Sequence, residues 1–355
     1  MAKIRLAVLM GGLGEEHEVS LSSGKGVIQH ADYQKYLVRP VIIDREGQWR
    51  IAATFLTAPA ALEELRFENY QIGEAVEVLR REVDLVFIVL HGRFGEDGTV
   101  QGLLEMASIS YVGSGVTASA LGMHKAFFRA IAEHAGILVP PGVVVRKGEW
   151  EERPEEVLTR VQSFGSFVVK PAAQGSSIGV FMVENFEGLR EAIDEALKLD
   201  EEIVVEKRIR GKEVTCGVLG GGRKEIIPLP PTLIVPRSAE FFDYFSKYTP
   251  GATLEITPAP LPESVTQRLQ ETALLVHKIL GCRGMSRSDF IYDEEKDQLY
   301  LLEINTIPGL TPTSLIPQAC QVIGMSFRDL IDYLVEDSLS ASDLRYSSRI
   351  FNRIG

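Results

Sequence analysis

The first third of the chain alternates continuous apolar runs with polar stretches of helical length. Its three apolar runs cover residues 4–10, 37–43 and 84–90. Such runs are typical of strands buried on both faces of a parallel sheet. Glycine-rich polar loops follow the first and third runs and read GGLGEEHEVS and HGRFGEDG. Because ligands bind at the carboxyl ends of the strands in such sheets, these two loops are predicted to line a site.

The pattern changes after Lys125, where shorter apolar runs separated by turns predict antiparallel strands. Two strands, 167–170 and 178–183, are predicted to form a hairpin. A helix over 186–199 and further strands over 203–209, 213–219 and 226–229 follow. The segment 228–262 is rich in proline and aromatic residues and has little periodicity, which favours a functional loop or lid.

Two elements near the end of the chain have clear boundaries. An amphipathic helix is predicted over 264–280, with Ser264 as its cap and Gly281 as its stop signal. The runs 285–292 and 298–304 flank the polar turn DEEKD and predict an antiparallel hairpin.

Composition narrows the class of protein. A chain of 355 residues is long enough for two or three domains. The three cysteines, Cys216, Cys282 and Cys320, lie far apart, which argues against a zinc site or disulfide framework and fits a reducing compartment. A net charge of −12 argues against a nucleic-acid partner, and no apolar run is long enough to span a membrane. The composition therefore favours a cytoplasmic enzyme that acts on small molecules.

Glycine-rich stretches raise the question of a nucleotide. Gly12 and Gly14 match the dinucleotide-binding fingerprint, but His17 occupies the position of its third glycine, which argues against a dehydrogenase. No G-x-x-x-x-G-K-[ST] sequence is present, so a P-loop is excluded. The stretch KPAAQGSSIGV at 170–180 is compatible with a phosphate-binding loop and equally with a flexible hairpin turn.

The predicted C-terminal hairpin carries an unusual set of polar residues. Because strand side chains alternate, Arg287 and Asp289 share one face, as do Glu303 and Asn305. A salt bridge from Arg287 to one carboxylate is the simpler interpretation, but it does not explain the second carboxylate beside Asn305. Oxygen ligands without His or Cys suit Mg²⁺. We therefore predict a metal site made by Asp289, Glu303 and Asn305.

Several spaced motifs together resemble one family along nearly the whole chain. They are EHEVSLSSG (16–24), LHGRFGEDGTVQG (90–102), SALGMHK (119–125), KPAAQGSSIG (170–179), FFDYFSKYTPG (241–251), RSDF (287–290) and EINTIPGLTPTSL (303–315). In this order they resemble the ATP-grasp enzymes and, within them, the D-alanine–D-alanine ligase family. The resemblance implies an α/β fold of three domains: an N-terminal parallel-sheet domain (1–124), and central (125–204) and C-terminal (205–355) antiparallel-sheet domains that clasp ATP.

The activity implied by the resemblance is the ATP-dependent ligation of two D-alanine molecules through a D-alanyl phosphate, for peptidoglycan precursor synthesis. Its cofactors would be ATP and two Mg²⁺ ions, with Mn²⁺ able to substitute, and its oligomeric state a homodimer. A related ligase that adds D-lactate and a catalytically idle nucleotide-sensing module are the alternatives. The intact set of Arg287, Asp289, Glu303 and Asn305 argues against the idle module.

The resemblance also assigns residues to ATP and metal. The ATP ligands would be Lys125, Lys170, Gly175, Ser176, Ser177, Glu206, Lys207, Ile209 and Glu213. For Glu206 and Glu213 the residues alone are equally compatible with solvated strand carboxylates. Asp289, Glu303 and Asn305 would hold the metal ions, with Glu303 shared between them.

Substrate residues follow from the same resemblance. Glu16 would bind the ammonium of the first D-alanine, with His91 beside it, although a capping or core role for His91 is an open alternative. Arg287 and the Gly309 N–H would form an oxyanion hole. The second D-alanine would contact Lys247, Ser314 and Leu315, and Ser176 with Tyr248 would connect the glycine loop to Glu16. This chain departs from the family pattern at Ser288 and at Ala-Ala-Gln 172–174, and neither departure removes a ligand.

Overall fold

The computed structural model describes residues 3–175, 178–236 and 253–345 and contains three sheets. The first sheet has the order β4-β3-β2-β1-β5-β6. Its strands are β1 (Ile4–Gly11), β2 (Tyr36–Ile43), β3 (Trp49–Ala52), β4 (Phe67–Tyr70), β5 (Leu85–Ile88) and β6 (Tyr111–Val112). The central strands are parallel, which confirms the prediction from the three apolar runs. The short antiparallel strands β3 and β4 at one side of the sheet were not predicted.

Helices cover both faces of the first sheet. The helices of this part of the chain are α1 (His17–His30), α2 (Ile72–Glu82), α3 (Thr99–Met106), α4 (Val116–Met123) and α5 (Lys125–His134), with a 3₁₀ turn at Leu62–Glu64. Alternate residues of β1 face opposite cores: Val8 packs with α1, whereas Leu9 packs with α2 and α3. Burial on both faces explains why β1 is apolar without interruption.

The second sheet is antiparallel and has the order β7-β10-β8-β9. Its strands are β7 (Gly142–Arg146), β8 (Phe167–Pro171), β9 (Phe181–Val183) and β10 (Glu202–Lys207). The helices α6 (Lys147–Glu152), α7 (Pro154–Val161) and α8 (Leu189–Ala196) cover one face, with a 3₁₀ turn at Gln162–Phe164. The predicted hairpin around the glycine loop is confirmed as β8–β9.

The third sheet is also antiparallel and contains the last six strands. They are β11 (Lys212–Leu219), β12 (Ile227–Pro228), β13 (Thr232–Pro236), β14 (Thr253–Ile256), β15 (Met285–Asp293) and β16 (Gln298–Asn305). The order is β14-β13-β11-β15-β16, with β12 also paired to β11. The helices α9 (Glu263–Leu280), α10 (Leu315–Val322) and α11 (Phe327–Arg345) complete the chain. The described part of the chain contains no helix with the length and apolar character needed to cross a membrane.

Two local predictions in this region need correction. The segment 228–262, predicted as a functional loop or lid, contains strands β13 and β14, and its residues 237–252 lie outside the described part of the chain. Ser264 does not cap α9, because the helix begins at Glu263 after Pro262, whose fixed φ suits a helix start. Gly281 ends the helix as predicted, with a left-handed φ of 70°.

The packing of the cores differs from the predicted domain boundaries. The boundary predicted after residue 204 falls inside β10, all of which belongs to the second sheet. The helices α4 and α5 contribute Ala118 and Phe128 to the core of the third sheet, although the sequence assigned them to the first and second domains. The last helix, α11, packs its Leu330 and Leu334 into the core of the first sheet. These contacts hold the three sheets together.

A buried polar network lies beneath the turn that joins β11 to β12. The carboxylate of Asp337 on α11 accepts hydrogen bonds from the backbone N–H groups of Gly222, Lys224 and Gly284 at 2.8–3.1 Å. His277 on α9 is fully buried beside it and contacts Ser286 Oγ at 2.7 Å. The network therefore fixes α9 and α11 to the third sheet.

We expect His277 to make stability depend on acidity. Burial lowers the pKa of His277 to about 4, and the Gly220 carbonyl and Asp337 offset this only in part. An unfolded histidine titrates near ~6.5, so the unfolded chain binds more protons between these values. The free energy of unfolding should therefore fall as the pH decreases from about 6.5 to about 4.

The variant His277→Gln should lose this component, which amounts to about 3 kcal/mol, in urea titrations across that pH range. His134→Gln, at an exposed histidine, is the matched control. If both variants keep the wild-type slope, His277 does not set the acid sensitivity.

Candidate active site

A cavity of about 490 Å³ lies between the second and third sheets. It is lined by six predicted ATP ligands and two predicted metal ligands, namely Lys125, Lys170, Glu206, Lys207, Ile209, Glu213, Asp289 and Glu303. Apolar walls come from both sheets, with Val168 and Met182 on one side and Ile234 and Ile291 on the other. The structure thus brings together residues that are up to 178 positions apart, from Lys125 to Glu303. Their roles stay predictions.

The floor of this cavity contains a buried cluster of charges. Lys170 Nζ lies 2.7 Å from Glu206 Oε2, and both side chains are buried. The other oxygen, Glu206 Oε1, accepts a hydrogen bond of 3.1 Å from Arg129 Nη1. Two cations therefore balance and orient one carboxylate. Glu206 is not a solvated strand carboxylate, and that alternative is wrong for this residue.

Arg129 was not identified from the sequence. It lies on α5 four positions after Lys125, so both side chains share one face of the helix. Arg129 also donates to the Pro140 carbonyl at 2.5 Å and to Glu133 at 2.6 Å. A basic residue at helical spacing from a predicted phosphate ligand was the signal that could have identified it.

The predicted metal ligands occupy neighbouring strands of the third sheet. Asp289 on β15 pairs with Glu303 on β16, and Arg287 pairs with Asn305. A register shift after Asp289 marks a bulge at this point. The two hydrogen bonds from Arg287 to Asp289 confirm that these two side chains share one face, and both carboxylates line the same cavity.

The charges around these ligands are partly compensated by the protein. Arg287 makes two hydrogen bonds of 2.8 Å to Asp289, so the simpler salt-bridge interpretation is correct for this pair. Lys125 Nζ lies 4.0 Å from Glu303 Oε2. Asn305 Oδ1 accepts the Ile307 N–H at 2.8 Å.

This donor set fits a hard divalent cation. Two carboxylates and an amide oxygen are ligand types that Mg²⁺ takes together with substrate phosphates. Within the described residues no cluster of three His, Cys, Asp or Glu forms a metal cage. A metal ion held by Asp289, Glu303 and Asn305 would therefore need further ligands, such as phosphate oxygens of a substrate.

A second group of predicted residues lies at the carboxyl ends of β1 and β5. Glu16 precedes α1 and is buried, with its Oε2 directly above Gly92. A methyl group on Gly175, at the start of the glycine loop, would lie 3.5 Å from the same oxygen. The two loops that the sequence predicted to line a site therefore meet the glycine loop at Glu16. Ser176, Ser177, Lys247 and Tyr248 lie outside the described residues.

His91 is held by hydrogen bonds on both ring nitrogens. Its Nδ1 donates to the Ile307 carbonyl at 2.9 Å, and its Nε2 lies 2.8 Å from Ser23 Oγ. Burial would lower the pKa of His91, but the neighbouring carboxyl groups of Glu96 and Glu16 raise it. Burial raises the pKa of Glu96, whose Oε1 has no hydrogen-bond partner within the described residues. Glu96 was missed, although it belongs to a loop predicted to line the site.

Two of the residues predicted for the second substrate, Ser314 and Leu315, are described and are adjacent at the start of α10. Ser314 directly precedes α10, which begins at Leu315, so the N-terminal N–H groups of that helix lie beside it. Ser314 Oγ accepts a hydrogen bond of 3.0 Å from the Thr311 N–H. A methyl group on Gly309 would lie 3.2 Å from the same oxygen.

Comparison with known proteins found one family along most of the chain. The family models described as "D-ala D-ala ligase N-terminus" and "D-ala D-ala ligase C-terminus" match residues 5–114 and 131–336. The chain is 40% identical to the D-alanine–D-alanine ligase of Syntrophobacter fumaroxidans, covering 95% of this chain and 98% of that protein. It is 37% identical to the corresponding protein of Chlorobium phaeovibrioides, covering 96% of this chain and 98% of that protein.

Similar solved structures include the VanG D-Ala:D-Ser ligase from Enterococcus faecalis. That structure is 33% identical with a TM-score of 0.79, covering 95% of this chain and 100% of its own. A D-alanine–D-alanine ligase from Bacillus anthracis complexed with ATP is 28% identical with a TM-score of 0.76, covering 96% of this chain and 99% of its own.

We expect Gly92→Ala to disturb Glu16. The new methyl group would lie 2.2 Å from Glu16 Oε2, and the φ of Gly92 is 70°, where an alanine is strained. Displacing a carboxylate from a charged hydrogen bond costs about 1.5–3 kcal/mol, so KM for the first D-alanine should rise roughly 10- to 150-fold.

Steady-state kinetics at saturating ATP would measure this rise. Gly14→Ala is the matched control, since a methyl group there meets nothing within 4 Å. An unchanged KM in Gly92→Ala would remove Glu16 from the substrate site.

Proposed function

Since this chain belongs to the D-alanine–D-alanine ligase family, we propose that it phosphorylates one D-alanine with ATP and joins the acyl phosphate to the amine of a second D-alanine. It is an ATP-dependent ligase with the ATP-grasp fold of its family. The observation that supports the proposal most directly is the cavity in which Lys170, Glu206 and the Asp289–Glu303 pair meet. Cell-wall precursor synthesis fits this ligase class.

The cavity suits ATP in shape and charge. Apolar side chains from both sheets, Val168 and Ile291 among them, would enclose the adenine ring. Glu206 would accept a hydrogen bond from the adenine amino group, and the backbone of Lys207 and Ile209 would contact the ring edge. Glu213 would bind the ribose hydroxyl groups. These roles divide the cavity into an adenine end and a phosphate end.

At the phosphate end, Lys125 would neutralise the triphosphate together with Lys170, whose ammonium group lies 2.7 Å from Glu206 and would turn from it toward the phosphates. Gly175, Ser176 and Ser177 would close over it and exclude water, which would otherwise hydrolyse the acyl phosphate. Asp289, Glu303 and Asn305 would hold two Mg²⁺ ions, or Mn²⁺, whose charge would stabilise the phosphate oxygens. Arg287 already neutralises Asp289 and would turn toward the substrate carboxylate as the site fills.

The two D-alanine subsites would lie on either side of Arg287 and Gly309. Glu16 would bind the first ammonium, next to His91, while Arg287 and the Gly309 N–H would stabilise the tetrahedral oxyanion. The N–H groups of Ser314 and Leu315 would bind the carboxylate of the second D-alanine. Lys247 would assist there, and Ser176 with Tyr248 would connect the closed loop to Glu16.

The proposal includes a cytoplasmic location and a homodimer, the usual state of the family. All three cysteines are free and buried, which suits a reducing compartment. The charge of −12 gives no support to a nucleic-acid partner. The proposed partners are small molecules and a second copy of the chain, and they include no membrane.

The proposal also specifies the acceptor, which is the second substrate that attacks the acyl phosphate. One similar solved structure is a D-Ala:D-Ser ligase, so D-serine is the first alternative to D-alanine as the second substrate. D-Lactate, which lacks the ammonium group, is the other competitor. A pocket for a methyl side chain rejects an added hydroxyl group only weakly, by roughly 100-fold.

We expect Glu303→Gln to abolish ATP turnover. Glu303 Oε2 lies 4.0 Å from Lys125 Nζ, and Glu303 is the carboxylate that the two proposed ions would share. Losing its charge should lower kcat by roughly 100-fold or more. Phosphate release against Mg²⁺ concentration measures this, and binding of Mn²⁺–ATP by calorimetry gives an independent readout.

Glu295→Gln is the control for this substitution, because it lies at the exposed turn of the same hairpin. Near-normal turnover by Glu303→Gln at moderate Mg²⁺ would mean that Glu303 is not a metal ligand.

We expect D-alanyl-D-alanine to be the main product at neutral pH. The test mixes D-alanine with equal concentrations of D-serine and D-lactate, and mass spectrometry separates the products. The mixed dipeptide should be the minor product by at least roughly ten-fold. A majority of D-alanyl-D-serine would move the chain to the D-serine-adding class, and a majority of ester would move it to the D-lactate-adding class.

A further inference from the structure

Ser23 connects three segments of the active site from a fully buried position on α1. Its Oγ accepts a hydrogen bond of 3.1 Å from the Leu310 N–H. The same oxygen lies 2.8 Å from Nε2 of His91, at the end of the β5 segment. His91 in turn donates from Nδ1 to the carbonyl of Ile307 at 2.9 Å. One hydroxyl group therefore joins α1 to both ends of the segment 307–310.

Chemistry determines two of these hydrogen-bond directions. A carbonyl oxygen only accepts, so His91 Nδ1 carries the proton toward Ile307, and the Leu310 N–H donates to Ser23 Oγ. In the neutral imidazole Nε2 accepts from the Ser23 hydroxyl, whereas in the imidazolium Nε2 donates to Ser23 Oγ. In both charge states Ser23 Oγ pairs with His91 and with Leu310, and the methyl group of an alanine pairs with neither.

The segment held in this way contains Gly309. Its first residue, Ile307, is fixed a second time, because the Ile307 N–H donates to Asn305 Oδ1 at 2.8 Å. The next turn of α1 also touches the segment, since a methyl group on Gly26 would lie 3.0 Å from the Leu310 carbonyl. Gly309 thus lies between the anchored residues Ile307 and Leu310, and its position depends on those two anchors.

We propose that Ser23 is a positioning residue for the ligation: through Leu310 and His91 it sets the place of the Gly309 N–H in the oxyanion hole. The inference rests on the proposed role of Gly309 in D-alanyl-D-alanine formation. Ser23 itself touches no substrate in this account. Removing its hydroxyl leaves the Leu310 N–H and His91 Nε2 without partners, and the segment shifts to find new ones.

The test compares neighbouring serines on the same helix. Ser23→Ala removes the buried hydroxyl, whereas Ser22→Ala removes an exposed one at the preceding position. Displacement of a reacting geometry by about 1 Å costs on the order of 100-fold in rate. We expect kcat of Ser23→Ala to fall on the order of 10- to 100-fold, with KM for ATP unchanged. Ser22→Ala should match the wild type.

Amide hydrogen exchange at Leu310 gives a readout that does not depend on activity. It should be slow in the wild type and in Ser22→Ala, and faster in Ser23→Ala, because the acceptor of that N–H is gone. If Ser23→Ala does not accumulate as folded protein, Ser23→Cys carries the same comparison with weaker hydrogen bonds and an intermediate loss of kcat.

Two results would overturn the inference. One is a Ser23→Ala variant with wild-type kcat. The other is a parallel loss of ATP affinity and thermal stability that accounts for the whole change in rate, which would make Ser23 a structural residue only. Wild-type enzyme is assayed alongside, and its failure to form the dipeptide would contradict the proposed function rather than the role of Ser23.

Discussion

The site depends on the register of β15 and β16, which places Asp289 directly opposite Glu303. Two carboxylates at adjacent positions of a sheet repel each other and destabilise the pairing unless cations lie close by. The protein supplies Arg287 at 2.8 Å from Asp289 and Lys125 at 4.0 Å from Glu303. Register decides whether the pair forms, because a shift of β16 by one residue would turn Glu303 to the other face of the sheet while Asp289 stayed on its own.

In the second sheet, too, a carboxylate is balanced by neighbouring cations of the protein. Lys170 and Arg129 share the Glu206 carboxylate, so a buried negative charge is balanced before any ligand arrives. An isolated charge at that depth would be costly, whereas a hydrogen-bonded cluster is tolerated. The connector between β10 and β11 lines the cavity, so Glu206 and Glu213 stand on different sheets. Relative movement of the two sheets would therefore change the distance between the groups proposed for adenine and ribose.

Features governed by local geometry could be predicted from the sequence. Strand alternation put Arg287 and Asp289 on one face because that period is fixed by the backbone, and the glycine loop was predicted as a hairpin for the same reason. Strands β13 and β14 were missed because prolines and a long interruption hide their short runs. The Ser264 cap was wrong because residue type alone does not distinguish a cap from the first turn of a helix.

Contacts between distant segments could not be read from the pattern. The pairing of Arg129 with Glu206 joins positions 77 apart, and the bond from Leu310 to Ser23 joins positions 287 apart. The helix α11 covers one face of the first sheet through Leu330 and Leu334, at the far end of the sequence. During synthesis, the first sheet and α1 emerge from the ribosome before α11. The apolar face of the sheet that α11 covers is then exposed to solvent. More than 200 further residues must be synthesised before α11 can cover this face, and the exposed apolar surface makes the nascent chain prone to aggregation during that interval.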